Sequence, residues 1–178
     1  VTVRRQEVDT LEYNRDKGIG VTIYLGQHKG HASTSDFSPA ALRETVEAAL
    51  NIARFTAADP SAGLPEAALL ASRAQGFADL DLYHPWLLSV EGAIDLAQRC
   101  EQAAFAVSDQ VTNSEGATVS IQEGQFISAN SLGFIGGYPN SRHFLSCSVI
   151  AGKDENMQRD DWYSTARDAR ALASPEAI

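Results

Sequence analysis

Four histidines, two cysteines and a few serine- and glycine-rich stretches are the places where this chain could do chemistry. His28 and His31 stand three apart. On a helix that spacing would share one face, but here turn-forming residues surround them and the two read as bracketing a turn. There is no HExxH, and no third ligand follows at a zinc-like distance. His84 precedes Pro85 and reads as a structural hydrogen-bonding residue in a loop. Ser141 and His143 alternate along Ser-Arg-His-Phe-Leu-Ser-Cys, which on a strand puts Ser141, His143 and Leu145 on one side and Arg142, Phe144 and Ser146 on the other. A serine beside a histidine suggests a nucleophile with its base. No G-x-S-x-G elbow carries this one and no acid is placed to orient the histidine, so Ser141, Arg142 and His143 are expected to serve structure or a partner contact. Cys100 and Cys147 are far apart and lie in apolar patterns, where thiols are inert.

The remaining candidates are weaker. Gly133, Gly136 and Gly137 lead into Tyr138-Pro139-Asn140 and a strand, not into the helix and lysine of a phosphate loop, so they read as serving a turn, a bulge or a close backbone approach. Asp79 with Asp81, and Asp160 with Asp161, lack calcium-loop spacing and read as solvated. No catalytic, cofactor-binding or metal-ligating residue is therefore assigned within the segment.

The elements that must position these residues are legible. The stretch 1–35 reads as short strands around Val1, Val3, Val8, Leu11 and Tyr13. A better strand follows at 19–25 and a returning one at 31–35, joined by a turn at 27–30. Ser38-Pro39 opens a helix over 39–56, with Leu42, Val46, Ala49, Leu50 and Ala53 as its apolar stripe. Residues 57–88 form a long connection with a helical turn at 65–72. Ser89 caps a second helix to about 108, burying Ile94, Ala97, Cys100, Ala104 and Val107. Strands are expected at 118–122, 125–130, 134–138, 143–151 and 161–165, then a short helix at 166–173. Connections this short forbid parallel crossovers. The class is α+β: a largely antiparallel sheet with two main helices packed on one face.

The chain has 178 residues, a formal net charge of −9 and 44% apolar residues, enough for a core. Counterion exchange with nucleic acid needs a basic surface, so direct nucleic-acid binding is not expected. Between Ala74 and Ser141 the only basic residue is Arg99, against Asp79, Asp81, Glu91, Asp95, Glu101, Asp109, Glu115 and Glu123. That run reads as a solvated acidic face, or as a surface for a basic partner. Two unpaired cysteines, no signal peptide and no membrane-length apolar run suit a cytoplasmic protein that makes no membrane contact. Both ends read as cut from a longer chain.

In order along the chain come the stretch 16–24, Ser33-Thr34-Ser35-Asp36-Phe37-Ser38-Pro39, the stretch 48–60 and Asp79-Leu80-Asp81-Leu82-Tyr83-His84-Pro85. Thr112-Asn113-Ser114-Glu115-Gly116, Asn130-Ser131-Leu132-Gly133, Ser141-Arg142-His143 and Met157-Gln158-Arg159-Asp160 follow. Taken together, this ordered set resembles the N-terminal part of the PmbA (TldE) branch of the TldD/PmbA metallopeptidase family. The resemblance implies that residues 1–178 are an N-terminal domain of a protein over twice as long, its C-terminal domain absent here. It implies a subunit of a zinc metallopeptidase system acting in proteolysis and peptide maturation, with this segment as scaffold and peptide- or partner-binding part. Zinc is implied for the family's catalytic subunit and not for this segment; a TldD-like subunit and a peptide substrate are the implied partners. The alternative is a non-enzymatic protein-binding regulator, such as a modulator of DNA gyrase.

Overall fold

The computed structural model describes residues 1–71 and 78–178. The chain divides into two compact units. The first comprises 1–12, 77–129 and 135–178, and the second 13–76 with 130–134.

In the second unit, β3 (Ile19–Leu25) and β4 (His28–Thr34) form an antiparallel hairpin closed at Gly26, whose φ of 60° suits glycine. Helix α1 (Pro39–Phe55) packs on it. Ser38 Oγ accepts the Ala41 N–H at 3.3 Å, and Pro39 occupies the first turn, as the sequence predicts. The buried stripe is Thr45, Ala49 and Ala53; Val46, expected inside, is 44% exposed. The small residues let the helix come down directly over Gly30, and this close seat decides which side chains face the hairpin. Leu11 and Tyr13 lie outside any strand. Among the described residues the connection from 56 holds a 3-10 turn, Ala67–Leu69, and residue 72, the last of the expected turn, lies outside them.

The first unit is a five-stranded, wholly antiparallel sheet in the order β2-β1-β5-β6-β7. Its members are β1 (Thr2–Arg4), β2 (Glu7–Thr10), β5 (Val111–Ala129), β6 (Ile135–Ala151) and β7 (Gln158–Ala166). Helix α2 (Val90–Ala106), capped by Ser89 Oγ on the Gly92 N–H, covers one face. The core between them is Val3, Ala93, Ala97, Cys100, Ala117, Val119, Leu145 and Cys147. The α+β class and the antiparallel pairing hold, while each helix packs on its own sheet.

Several boundaries differ from the sequence expectation. The four strands expected between 118 and 151 are two long ones. Gly116 sits at a register shift with φ 120°, and Gly124 pairs with Asn140 inside the ladder, so neither breaks it. Val107 is 80% exposed, whereas Glu101 is fully buried. The Glu101 carboxylate accepts the backbone N–H groups of Arg5 (2.8 Å) and Gln6 (2.7 Å) and the Gln6 side-chain amide (3.0 Å). Arg5 and Gln6 form the β1–β2 turn, both at positive φ, so their N–H groups cannot join the ladder and need an outside acceptor. Glu101 thus leaves the acidic surface predicted for 74–141. No helix forms at 166–173: β7 runs on to Ala166, and a 3-10 turn, Ala169–Ala171, follows under the Asp168 side chain, which accepts the Arg170 N–H.

Candidate functional site

Ser141 and His143 do point to the same, core-facing side of β6, and both are fully buried. They do not form a nucleophile–base pair. Ser141 Oγ donates to the Arg167 carbonyl (2.8 Å) and accepts the His84 N–H (2.8 Å). The Ser141 N–H donates to the Leu82 carbonyl (2.8 Å). His143 Nε2 meets the His84 carbonyl at 2.8 Å; a carbonyl only accepts, which fixes the proton on Nε2. Nδ1 is left buried without a hydrogen-bond partner, so no acid orients this imidazole, and Trp86 closes over it edge-on at 5.3 Å. The chemistry is that of a clasp. β7 pairs with β6 only from His143 onward, and the extended segment 82–86 takes over the bonding where β7 stops. We predict that a fluorophosphonate probe leaves Ser141 and Ser146 unlabelled, and that Ser141→Ala costs about 1–2 kcal/mol through the stranded His84 N–H. Mass spectrometry showing an adduct on either serine would refute the first half.

His84 brings the clasp against two acidic side chains. Its Nε2 lies 3.3 Å from Asp81 Oδ1 and its Nδ1 3.6 Å from Asp168 Oδ2. Hydrogen bonds from the Arg170 side chain and backbone hold the Asp168 carboxyl down to about 2, so it is charged throughout the neutral range. His28 and His31 both lie on β4 and do not bracket a turn; three apart on a strand, they face opposite ways. His28 Nδ1 meets the Thr56 carbonyl and His31 Nδ1 the Thr22 hydroxyl. Cys100 and Cys147, distant in sequence, meet in the apolar core, where the Cys147 thiol and burial push the Cys100 thiol up and keep it protonated. Gly133 lies in the β5–β6 turn, as expected for a turn glycine. Among the described residues no three of His, Cys, Asp and Glu are grouped to hold a metal ion.

The other face of the five-stranded sheet carries a different arrangement, one the sequence signals only through the alternation of Arg142 and Phe144 with the buried side chains. Ser120, Gln122, Arg142 and Phe144 line an open depression of about 250 Å³. Gln122 pairs across the ladder with Arg142, and Ser120 with Phe144. Arg142 Nε donates to Thr165 Oγ1 (3.2 Å), which itself donates to the His143 carbonyl (3.1 Å). No carboxylate among the described residues pairs with Arg142. Phe144 stacks on Tyr163 at 5.7 Å and 28°.

Residues 83–178 match the model of the PmbA/TldA metallopeptidase central domain, and residues 1–53 that of PmbA/TldA metallopeptidase domain 1. The chain belongs to the PmbA/TldD metallopeptidase family. It is 43% identical over 178 residues to the metalloprotease PmbA of Escherichia coli O157:H7, covering 100% of this chain and 39% of the relative. It is 40% identical over 175 residues to a metalloprotease PmbA homolog of Haemophilus influenzae, covering 98% and 38%. The chain thus spans about two fifths of these PmbA proteins. The fold recurs in a crystal structure from Bacteroides thetaiotaomicron named as a candidate modulator of DNA gyrase (TM-score 0.78, 21% identity, 97% of this chain and 39% of that one). It recurs also in TldE from Thermococcus kodakarensis (TM-score 0.68, 14% identity, 96% and 38%). The family's two domain models fall on either side of the 54–82 stretch; the arginine depression lies in the central-domain match, and the clasp begins at Leu82, one residue before it. Among the described residues no helix is long and apolar enough to cross a membrane.

Proposed function

We propose that this segment is the scaffold and peptide-contacting part of a TldD/PmbA-type zinc metallopeptidase system of the cytoplasm, which works with a TldD-like subunit on peptide substrates. The observation that carries the reading is the division of the five-stranded sheet. One face is spent on packing against α2, while the other stays open and bears polar and aromatic side chains around a cationic depression. In this reading the hydrolytic metal is held by protein outside these residues, while the His28, His31, Ser141 and His143 side chains of this segment make structural hydrogen bonds. Zinc bound there would supply an ionised water as nucleophile. The residues described here bind and orient.

The full-length protein co-expressed with a TldD-like subunit is expected to co-purify with it. Peptide turnover should appear only in the pair, and a chelator should abolish it. Full-length protein that stays alone on size exclusion, with peptidase activity unchanged by its addition to the partner, would sink the reading. Co-purification with gyrase in place of a TldD-like subunit would favour the regulator reading that the Bacteroides relative's name suggests.

A further inference from the structure

We propose that the depression lined by Ser120, Gln122, Arg142 and Phe144 is a subsite for the C-terminal residue of a bound peptide, with Arg142 holding its terminal carboxylate. The inference rests on the peptide-contacting role proposed above and names the end of the substrate that this face takes.

Charge comes first. The protein carries an excess of acid, with 23 Asp and Glu against 14 Lys and Arg. The arginines that meet carboxylates in the described residues are Arg99, Arg159 and Arg170, each bound to an acid of this chain. Arg142 is instead anchored through Nε by the neutral Thr165 hydroxyl. The Thr165 bond to the His143 carbonyl fixes that hydroxyl in turn. A guanidinium held at Nε keeps its two terminal nitrogens for an incoming planar anion. A carboxylate fits that fork, which a point charge such as ammonium would match less well.

Size and lining choose the source of the carboxylate. A space of about 250 Å³ suits one residue. A C-terminal residue uses every lining group: its carboxylate lies on Arg142, its own amide reaches the Gln122 side chain or Ser120 hydroxyl, and an apolar side chain rests on Phe144, itself backed by Tyr163. An internal glutamate would place its carboxylate at the end of a flexible stem and leave the ring without an apolar contact. The net charge of the protein also disfavours peptides rich in acid.

The test is fluorescence anisotropy of the full-length protein with N-terminally labelled pentapeptides ending in leucine. One has a free C-terminus, one a C-terminal amide, and one an amide with glutamate at the third position. Loss of a charge-assisted pair predicts about tenfold weaker binding of the plain amide. Arg142→Gln should erase that preference and Arg142→Lys restore part of it. Thr165→Val should weaken the free-acid peptide selectively. Because Arg142 is exposed, the thermal midpoint of Arg142→Gln should match the parent and exclude misfolding. Equal binding of free acid and amide overturns the inference while leaving peptide binding intact. So does a preference that survives Arg142→Gln, or an internal-glutamate amide that binds as tightly as the free acid. If no peptide binds at all, the peptide-contacting role falls with it.

Discussion

Glu101→Ala should be the most damaging single substitution in the five-stranded unit, lowering its stability by about 3 kcal/mol or more, because two backbone N–H groups lose their acceptor at once. Their distances, 2.8 and 2.7 Å, are those of strong bonds to an ionised oxygen. Glu101→Gln should recover little. An amide offers one oxygen and one NH2 group, so one of the two turn N–H groups would face another donor. The check is urea unfolding of parent and variants, read as a shifted midpoint at constant slope. A Glu101→Gln midpoint equal to the parent would show that water, and not the carboxylate, serves the Arg5–Gln6 turn.

The second large effect is expected in the hairpin–helix unit. Gly30 lies on β4 directly beneath α1, and a Cβ there would drive into the Ala49 carbonyl oxygen and stand 2.5 Å from the Ala53 nitrogen. Both obstacles are helix backbone, which no side-chain rotation can move. Gly30→Ala should therefore lift α1 off the hairpin at a cost of about 3 kcal/mol, at the upper end of overpacking penalties. Hydrogen exchange should show it: amides of α1 should lose protection, while those of β5 and β6 change little. Unchanged α1 protection would mean that the helix slides along the hairpin at no cost.

These two residues also mark where sequence reading stops. Both helix starts are legible because the cap is a local device: Ser38 and Ser89 bond to N–H groups three residues away. The strand at 19–25 is legible for the same kind of reason, a run of β-branched residues between turn signals. Glu101 is not, because its partners lie 95 and 96 positions earlier, and a carboxylate in an acidic run gives no sign that it will be buried. The outer face of the sheet was half visible. Alternation along 141–147 separates Arg142 and Phe144 from the core, but pairing with Gln122 and Ser120 belongs to the register of two long strands, which their glycines disguised as four. Motif grounds alone set Ser141 and His143 apart from a nucleophile elbow. What holds them, the 82–86 clasp, is again a long-range fact.

The order of the sheet has a consequence for synthesis. Thr2 and Val3 of β1 pair with Thr118 and Ala117 of β5, so the first-made strand of the sheet must wait for more than a hundred further residues before its central neighbour exists. The hairpin and α1, whose contacts are local, are made in between and can close while the ribosome is still working. Until β5 emerges, the nascent chain carries a folded insert tethered to an unpaired β1–β2 ribbon. Folding of the sheet is then limited by a long loop closure, and that interval is when a chaperone would have most to hold.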